Sequence, residues 1–246
     1  MEQRIFYTGG SSSAVAFAAR ELELRGIVFS DKPGPEVTHL LLNVPCREDV
    51  SQVLSTLADG TTIFGGMLHG QEFARFRSVD LLTDPMYLAQ NAQITAQCAM
   101  TLAAQNLPIT WDNCTVLIIG WGRIGKCLAR LLRCAGADVS VAARNPADRA
   151  MLTALGLTAE DPTRLNQILC RYRLIINTVP EPILYGSQLR HCHPDCLMME
   201  LASRPGILSE NVMKAPGLPG KMAPESSGRL IARTIMRLCA GKEGQQ

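Results

Sequence analysis

No run of this 246-residue chain approaches the roughly 20 consecutive apolar residues that a membrane-spanning helix needs, so no bilayer span is expected. The opening segment M-E-Q-R-I-F-Y-T-G-G lacks a basic region followed by an apolar core and a cleavage site, so no secretory leader is expected either. Neither sign of charge dominates. Lys plus Arg number 24 against 22 Asp plus Glu, a formal charge of +2, which gives no support to a nucleic-acid or membrane-surface role.

Paired cysteine spacing is also missing. The nine cysteines, at 46, 98, 114, 127, 134, 170, 192, 196 and 239, repeat no interval, and a reducing, cytoplasmic setting is the simplest reading. Only H-C-H-P-D-C at 191–196 crowds imidazoles and thiols together. Six residues rarely wrap four ligands around one tetrahedral zinc, and no second cluster supplies the remainder, so no metal site is expected.

What the chain does have is T-V-L-I-I-G-W-G-R-I-G-K at 115–126, an apolar run driven into glycines 120, 122 and 125. This is the sequence form of a strand, a tight turn and a helix start that grips the pyrophosphate of a dinucleotide. Gly120 permits the turn, Gly122 lets phosphate approach the backbone, and Gly125 lets the helix lie close to the strand. Trp121, Arg123 and Ile124 complete the turn, whose helix N-terminus presents unpaired N–H groups to an anion. Ile124, Cys127, Leu128, Leu131 and Leu132 are spaced along one helical face.

The length accommodates two domains of roughly 110 and 130 residues. In the first half, R-I-F-Y-T-G-G at 4–10 reads as a strand, with Ser11, Ser12 and Ser13 as capping candidates for a helix through Leu24. Strand segments at 39–45, 62–68 and 79–82 and a helical stretch over 48–58 continue a small α/β domain. Residues 85–106 form a long uncharged helical stretch without internal proline or glycine, a linking spine bearing Asn91, Thr95 and Gln97. These three either reach toward a cleft or are solvated and capping neighbours.

The second half follows its glycine turn with A-D-V-S-V-A-A-R at 137–144. Nineteen residues past Gly125, where a carboxylate would bind the ribose of NAD, stand Arg144 and Asn145, with Arg149 soon after. A guanidinium there favours the extra phosphate of NADP. Strand segments 174–180, 196–206 and 214–221 follow, and ligands gather outside the carboxyl ends of such strands. Thr178, Val179, Pro180, Ser203, Arg204, Pro216 and Gly217 all fall at such ends. A final helix starts at Pro224. The fold class is therefore two doubly wound parallel α/β domains, the second a Rossmann dinucleotide-binding domain over 107–223. The first spans 1–84 with the linking helix 85–106 and the C-terminal helix 224–241, and lies on the substrate side.

The strings E-L-A-S-R-P-G at 200–206 and A-P-G-L-P-G-K-M-A-P-E-S-S-G-R-L-I-A at 215–232 resemble the A subunits of dipicolinate synthase, the spore-specific enzyme of endospore-forming bacteria. That family carries D-L-A-S-R-P-G followed by A-P-G-L-P-G-x-x-A-P-x-T-A-G. With the turn at 120–125, Ala143-Arg144 and I-N-T-V-P at 176–180, the resemblance covers most of 110–240. The first half is shorter than in the family and diverges from it. Where the family's linking helix reads N-S-I-P-T-x-E-G, its glutamate is here Gln97, which cannot serve as a general base.

The resemblance implies oxidation of a dihydrodipicolinate-type dicarboxylate to dipicolinate with a nicotinamide cofactor, for which Arg144 points to NADP. It further implies a small dicarboxylate substrate and partnership with a flavoprotein-like B subunit, and a homo-oligomer is expected. Arg204 would hold the dicarboxylate and act as catalytic residue, helped by Ser11, Ser12, Ser13, Asn91 and Thr95, or else it braces its own loop. Two alternatives stand beside this. One is an NADP-binding subunit or sensor with reduced catalysis, in keeping with Gln97. The other is a D-2-hydroxyacid dehydrogenase-like enzyme, but that needs a late acid/base histidine, and none follows His193, leaving His191 or His193 in an unfamiliar geometry.

Overall fold

The computed structural model describes residues 4–240, and its chain divides into two compact units, Met1–Asn91 with Pro219–Gln246, and Ala92–Leu218. Short runs of largely buried apolar residues make the central strands of both, which is the pattern a helix-covered parallel sheet requires.

In the first unit, β1 (Ile5–Thr8) passes through two glycines into α1 (Ser13–Glu23), and β2 (Val28–Phe29), β3 (His39–Leu41), α2 (Ser51–Thr56), β4 (Thr62–Gly65) and β5 (Arg77–Asp80) follow. The strands are all parallel in the order β2-β1-β3-β4-β5. Phe6 faces His39 in register and stacks on it at 4.6 Å, while Leu40, Leu42, Leu54, Ile63, Phe73 and Phe76 form the core beneath α2. The strand order reverses between β1 and β3, so the loops after those strands flank a switch point.

Asp84 caps α3 (Pro85–Asn106), its Oδ1 accepting from the Tyr87 N–H at 2.7 Å, and this helix carries the chain from the first unit into the second. There follow β6 (Thr115–Ile119), α4 (Arg123–Cys134), β7 (Asp138–Ala142), α5 (Pro146–Ala154), β8 (Thr158–Glu160), β9 (Leu174–Asn177), α6 (Gly186–Leu189), β10 (Leu197–Glu200) and β11 (Met213–Lys214). The sheet is again all parallel, ordered β11-β10-β9-β6-β7-β8, which is the Rossmann arrangement with its reversal between β6 and β9. Leu117, Ile119, Ile175, Leu165, Leu169, Leu184 and Ile207 fill one core of this unit. After α7 (Leu218–Met222), α8 (Pro224–Ala240) returns to the first unit and lies along α1. The molecule thus contains the two doubly wound parallel sheets, the second of Rossmann type. No described helix is long and apolar enough to cross a membrane.

Several element boundaries differ from the sequence expectation. The strand expected over 79–82 ends at Asp80, whose Oδ1 accepts from the Leu82 N–H at 2.8 Å and turns residues 81–83 into a 3-10 turn. The helix expected over 48–58 is only Ser51–Thr56, because Asp49 binds the Ser51 N–H locally and Leu57 is extended. The segment 174–180 is strand only as far as Asn177, whose side chain bonds both the N–H and the carbonyl of Val179 and so competes with the ladder. In 214–221 only Lys214 belongs to a strand, the end of β11, and a helical turn follows from Leu218. The final helix, expected to 241, is described to Ala240, and residue 241 lies outside the described residues.

Candidate functional site

The glycine turn stands at the carboxyl end of β6, beside the reversal of strand order. Gly120 adopts φ +107, a left-handed backbone that a side chain resists, and a Cβ there would meet Thr178 Oγ1 at 2.5 Å. A Cβ on Gly125 would lie 2.1 Å from the Gly120 carbonyl oxygen, so α4 can start this close to β6 only with glycine. Gly122 is different. It is the N-cap of α4, exposed, with no side-chain cap and nothing within 4 Å of where a Cβ would stand. The first turn of α4 carries Arg123 and no acidic residue. Uncapped N–H groups, the positive end of the helix and open space beside Gly122 together make a cradle that suits a pyrophosphate. Trp121 is half-buried, with Lys126 Nζ 5.6 Å from its ring centre, and Ile124 is half-buried too.

At the end of β7 the three polar residues take different parts. Arg144 is 91% exposed and only loosely paired, its Nη1 3.7 Å from Glu181. Asn145 caps α5, accepting from the Ala147 N–H at 2.9 Å. Arg149 donates to the Ala143 and Arg144 carbonyls, both at 2.8 Å, and pairs with Asp161 at 3.0 Å. Its guanidinium therefore braces the turn that displays Arg144. No carboxylate occupies positions 143–145.

Across the reversal, Thr178 donates its hydroxyl to the Ile119 carbonyl at 2.9 Å, tying the loop after β9 to the end of β6. Val179 is half-buried and Pro180 exposed in that loop. Arg204 is exposed at the tip of the turn after β10, and Pro216 and Gly217 are exposed after β11. Thr178, Val179, Pro180 and the glycine turn are thus neighbours, and Arg204 and Pro216 lie at the same carboxyl edge of one sheet.

Sequence reasoning passed over the group that organises this edge. Glu200 ends β10 and is 5% exposed. It accepts from Asn177 Nδ2 at 2.8 and 3.0 Å, from Ala202 N at 3.0 Å, from Gly206 N at 2.7 Å and from Ile207 N at 3.0 Å. Asn177 is fully buried and holds Val179 from both sides. A glutamate two residues before an A-S-R-P-G turn, opposite an asparagine before T-V-P, was the available signal.

In the first unit, Ser12 rather than Ser11 or Ser13 caps α1, its Oγ accepting from the Val15 N–H at 3.3 Å while its own N–H donates to Asn43 Oδ1 at 3.1 Å. Ser11 and Ser13 are exposed beside the switch point of that sheet. Asn91 is half-buried on α3, the last residue of the first unit, whereas Thr95 is buried within the second. Gln97 is exposed and lines an open depression with Met100, Thr101, Trp111 and Leu131, beside the turn that leads into β6.

His191 and His193 lie in the turn before β10, at the amino edge of the sheet, opposite the glycine turn. His193 Nδ1 accepts from the Asp195 N–H at 3.1 Å, and burial pushes the Cys196 thiol up to about 12. Among the described residues, no group of three or more histidine, cysteine or acidic side chains is arranged to hold a metal.

No protein-family model matches the chain. The A subunit of dipicolinate synthase from Bacillus subtilis (strain 168) is 32% identical over 164 residues, 63% of this chain and 55% of the relative, so the chain spans about half the length of the curated relative it matches. The crystal structure of the dipicolinate synthase A chain from Bacillus subtilis is similar with a TM-score of 0.84 at 23% identity, covering 100% of this chain and 99% of that one. A D-isomer specific 2-hydroxyacid dehydrogenase from Lactobacillus delbrueckii ssp. bulgaricus, solved in its NAD-complexed form, has a TM-score of 0.56 at 13% identity, covering 99% and 98%. The second and third likenesses speak for fold alone. The chain is similar to the dipicolinate synthase A subunits, in sequence over the matched stretch and in fold over its length.

Proposed function

We propose that the chain is an NADP-dependent oxidoreductase subunit that oxidises a dihydrodipicolinate-type dicarboxylate to dipicolinate. The observation that supports cofactor binding is the cradle itself: tight glycines at 120 and 125 around an open Gly122 and an uncapped helix start. In this reading residues 107–223 bind the cofactor. Residues 1–84, with the linking helix 85–106 and the C-terminal helix 224–241, form the substrate side.

The chain's own residues act by binding and orientation. The α4 N-terminus holds the pyrophosphate, and Gly120, Trp121, Gly122, Arg123, Ile124 and Gly125 shape its seat. Arg144 and Asn145, on a turn braced by Arg149, meet the additional phosphate of NADP. Thr178, Val179 and Pro180, with Pro216 and Gly217, flank the nicotinamide end, since the dinucleotide crosses the sheet at the reversal of strand order. A bound nicotinamide supplies the hydride acceptor. Arg204, exposed at the tip of its turn, presents a planar fork suited to a carboxylate, assisted by Ser11, Ser12, Ser13, Asn91 and Thr95.

Gln97 takes up no proton, so the oxidation has no base at that place on α3. That observation favours a second reading, an NADP-binding subunit or sensor, in which a flavoprotein-like B subunit or another partner carries the chemistry. The D-2-hydroxyacid dehydrogenase reading is weaker, because His191 and His193 lie at the opposite edge of the sheet from the cradle.

Titration of the purified chain with NADPH and NADH tests the cofactor. NADPH is expected to bind on the order of tenfold or more tightly, with the preference erased in Arg144→Ala, because one charge-assisted contact is worth about 1.5–3 kcal/mol. Equal affinity for the two cofactors contradicts the assignment. Turnover of dihydrodipicolinate with NADP, measured for the chain alone and with a flavoprotein partner, then separates enzyme from sensor.

A further inference from the structure

We propose that Glu200 is a positioning residue for the nicotinamide half of the cofactor site, locking the loops after β9 and β10 into one platform. The proposal rests on reading the second unit as a dinucleotide domain. Within that fold the adenosine end lies toward β7 and the nicotinamide end toward β9 and β10, because the ligand crosses at the reversal between β6 and β9.

A buried carboxylate persists only where hydrogen-bond donors replace its water. Among the described residues no lysine or arginine forms an ion pair with Glu200; four N–H groups do the work instead, from Asn177, Ala202, Gly206 and Ile207. Both of its oxygens accept, Oε1 from Asn177 and Ala202 and Oε2 from Asn177, Gly206 and Ile207. A core in need of mere filling would not bring four donors to one point.

Each donor has a consequence at the sheet edge. Ala202 lies before and Gly206 and Ile207 lie after the three-residue tip Ser203, Arg204 and Pro205, so one side chain fixes both feet of that turn. Asn177, held by the same carboxylate, bonds both polar groups of the Val179 backbone, and Thr178 beside it is tied to the Ile119 carbonyl. The Gly206 carbonyl then accepts from the Ile183 and Leu184 N–H groups at 2.8 and 3.1 Å, which joins the two loops directly. The connection runs from Arg204 through Glu200 and Asn177 to the residues packed against Gly120.

Glu200→Gln keeps the shape but turns an NH2 group toward two of the four N–H donors. Binding of NADPH and of 2′-phospho-ADP-ribose, which lacks nicotinamide, is measured by titration for wild type, Glu200→Gln and Glu200→Asp. The expected result for Glu200→Gln is NADPH affinity reduced on the order of tenfold or more, with the fragment within about twofold of wild type. Glu200→Asp, which keeps the charge, is expected to show a smaller loss with the same selectivity, and it carries the comparison if the glutamine variant does not fold. Unchanged NADPH affinity overturns the proposal. So does an equal loss for both ligands, which makes Glu200 a support of the whole unit instead. A wild-type protein that binds neither ligand overturns the dinucleotide reading itself, an outcome distinct from either.

Discussion

At the scale of single residues, the three glycines of the turn separate into two that the fold needs and one with open space beside it. Gly125→Ala places a methyl 2.1 Å from a backbone oxygen that cannot swing away, so α4 and β6 must part; a loss of roughly 1–3 kcal/mol is expected in urea unfolding. Gly122→Ala meets nothing within 4 Å and is expected to change stability by less than about 0.5 kcal/mol while weakening NADPH binding on the order of tenfold, since its methyl enters the phosphate's space. A Gly122→Ala variant that binds NADPH as wild type does would show that the phosphate does not approach there. The glycine pattern was legible because strand, turn and helix start each leave a local mark. The division of labour among Arg144, Asn145 and Arg149 was not, since which guanidinium turns inward to brace carbonyls depends on Asp161 and on the end of β8, remote from the local pattern.

Among elements, the C-terminal helix shows how a family string can carry structure rather than chemistry. In E-S-S-G-R, Gly228 faces α1, and a Cβ there would lie 2.5 Å from the Ala14 carbonyl oxygen and from Phe17 Cβ. Glycine lets α8 settle onto α1, burying Leu230, Ile231 and Ile235. Gly228→Ala is expected to destabilise the protein by about 1–3 kcal/mol through overpacking, despite alanine's better helix propensity. The neighbouring exposed Ser226→Ala should stay within about 0.5 kcal/mol, and equal thermal midpoints for the two variants would count against the close contact. Periodicity announced this helix. Its partner was invisible, because α1 lies some two hundred residues earlier in the chain. The strand ends misjudged at 79–82 and 174–180 have one cause: Asp80 and Asn177 are polar side chains that bond their own local backbone and stop the ladder, and an apolar run does not reveal which way they turn.

For the whole molecule, the first unit is closed by residues from both ends of the sequence. Arg237 of α8 donates to Asp84 at 2.7 Å, and this hydrogen bond, reinforced by the α3 N–H groups, holds the Asp84 carboxyl below its ordinary value. A carboxyl with a lowered folded pKa stabilises fully above its unfolded value of about 3.9 and loses that contribution as the pH falls through the folded value. Asparagine caps a helix as well as aspartate, so Asp84→Asn isolates the ion pair. With Arg237 38% exposed the pair is partly screened, and about 0.5–1 kcal/mol is expected at pH 7. In urea unfolding at pH 7 and at pH 3, the gap between wild type and variant should narrow with acid; a gap of constant size would remove the ion pair as its source. The sequence by itself determined the alternation of apolar runs and helices, hence two parallel sheets, and the phosphate cradle, because these rest on contacts between residues near one another in the chain. Only the tertiary structure decided which arginine is displayed, that His191 and His193 lie at the other edge of the sheet, that α8 lies along α1, and that Glu200 gathers two loops. Each of those depends on donors and acceptors brought together from distant positions, whose pairing is settled when the sheet order places them side by side.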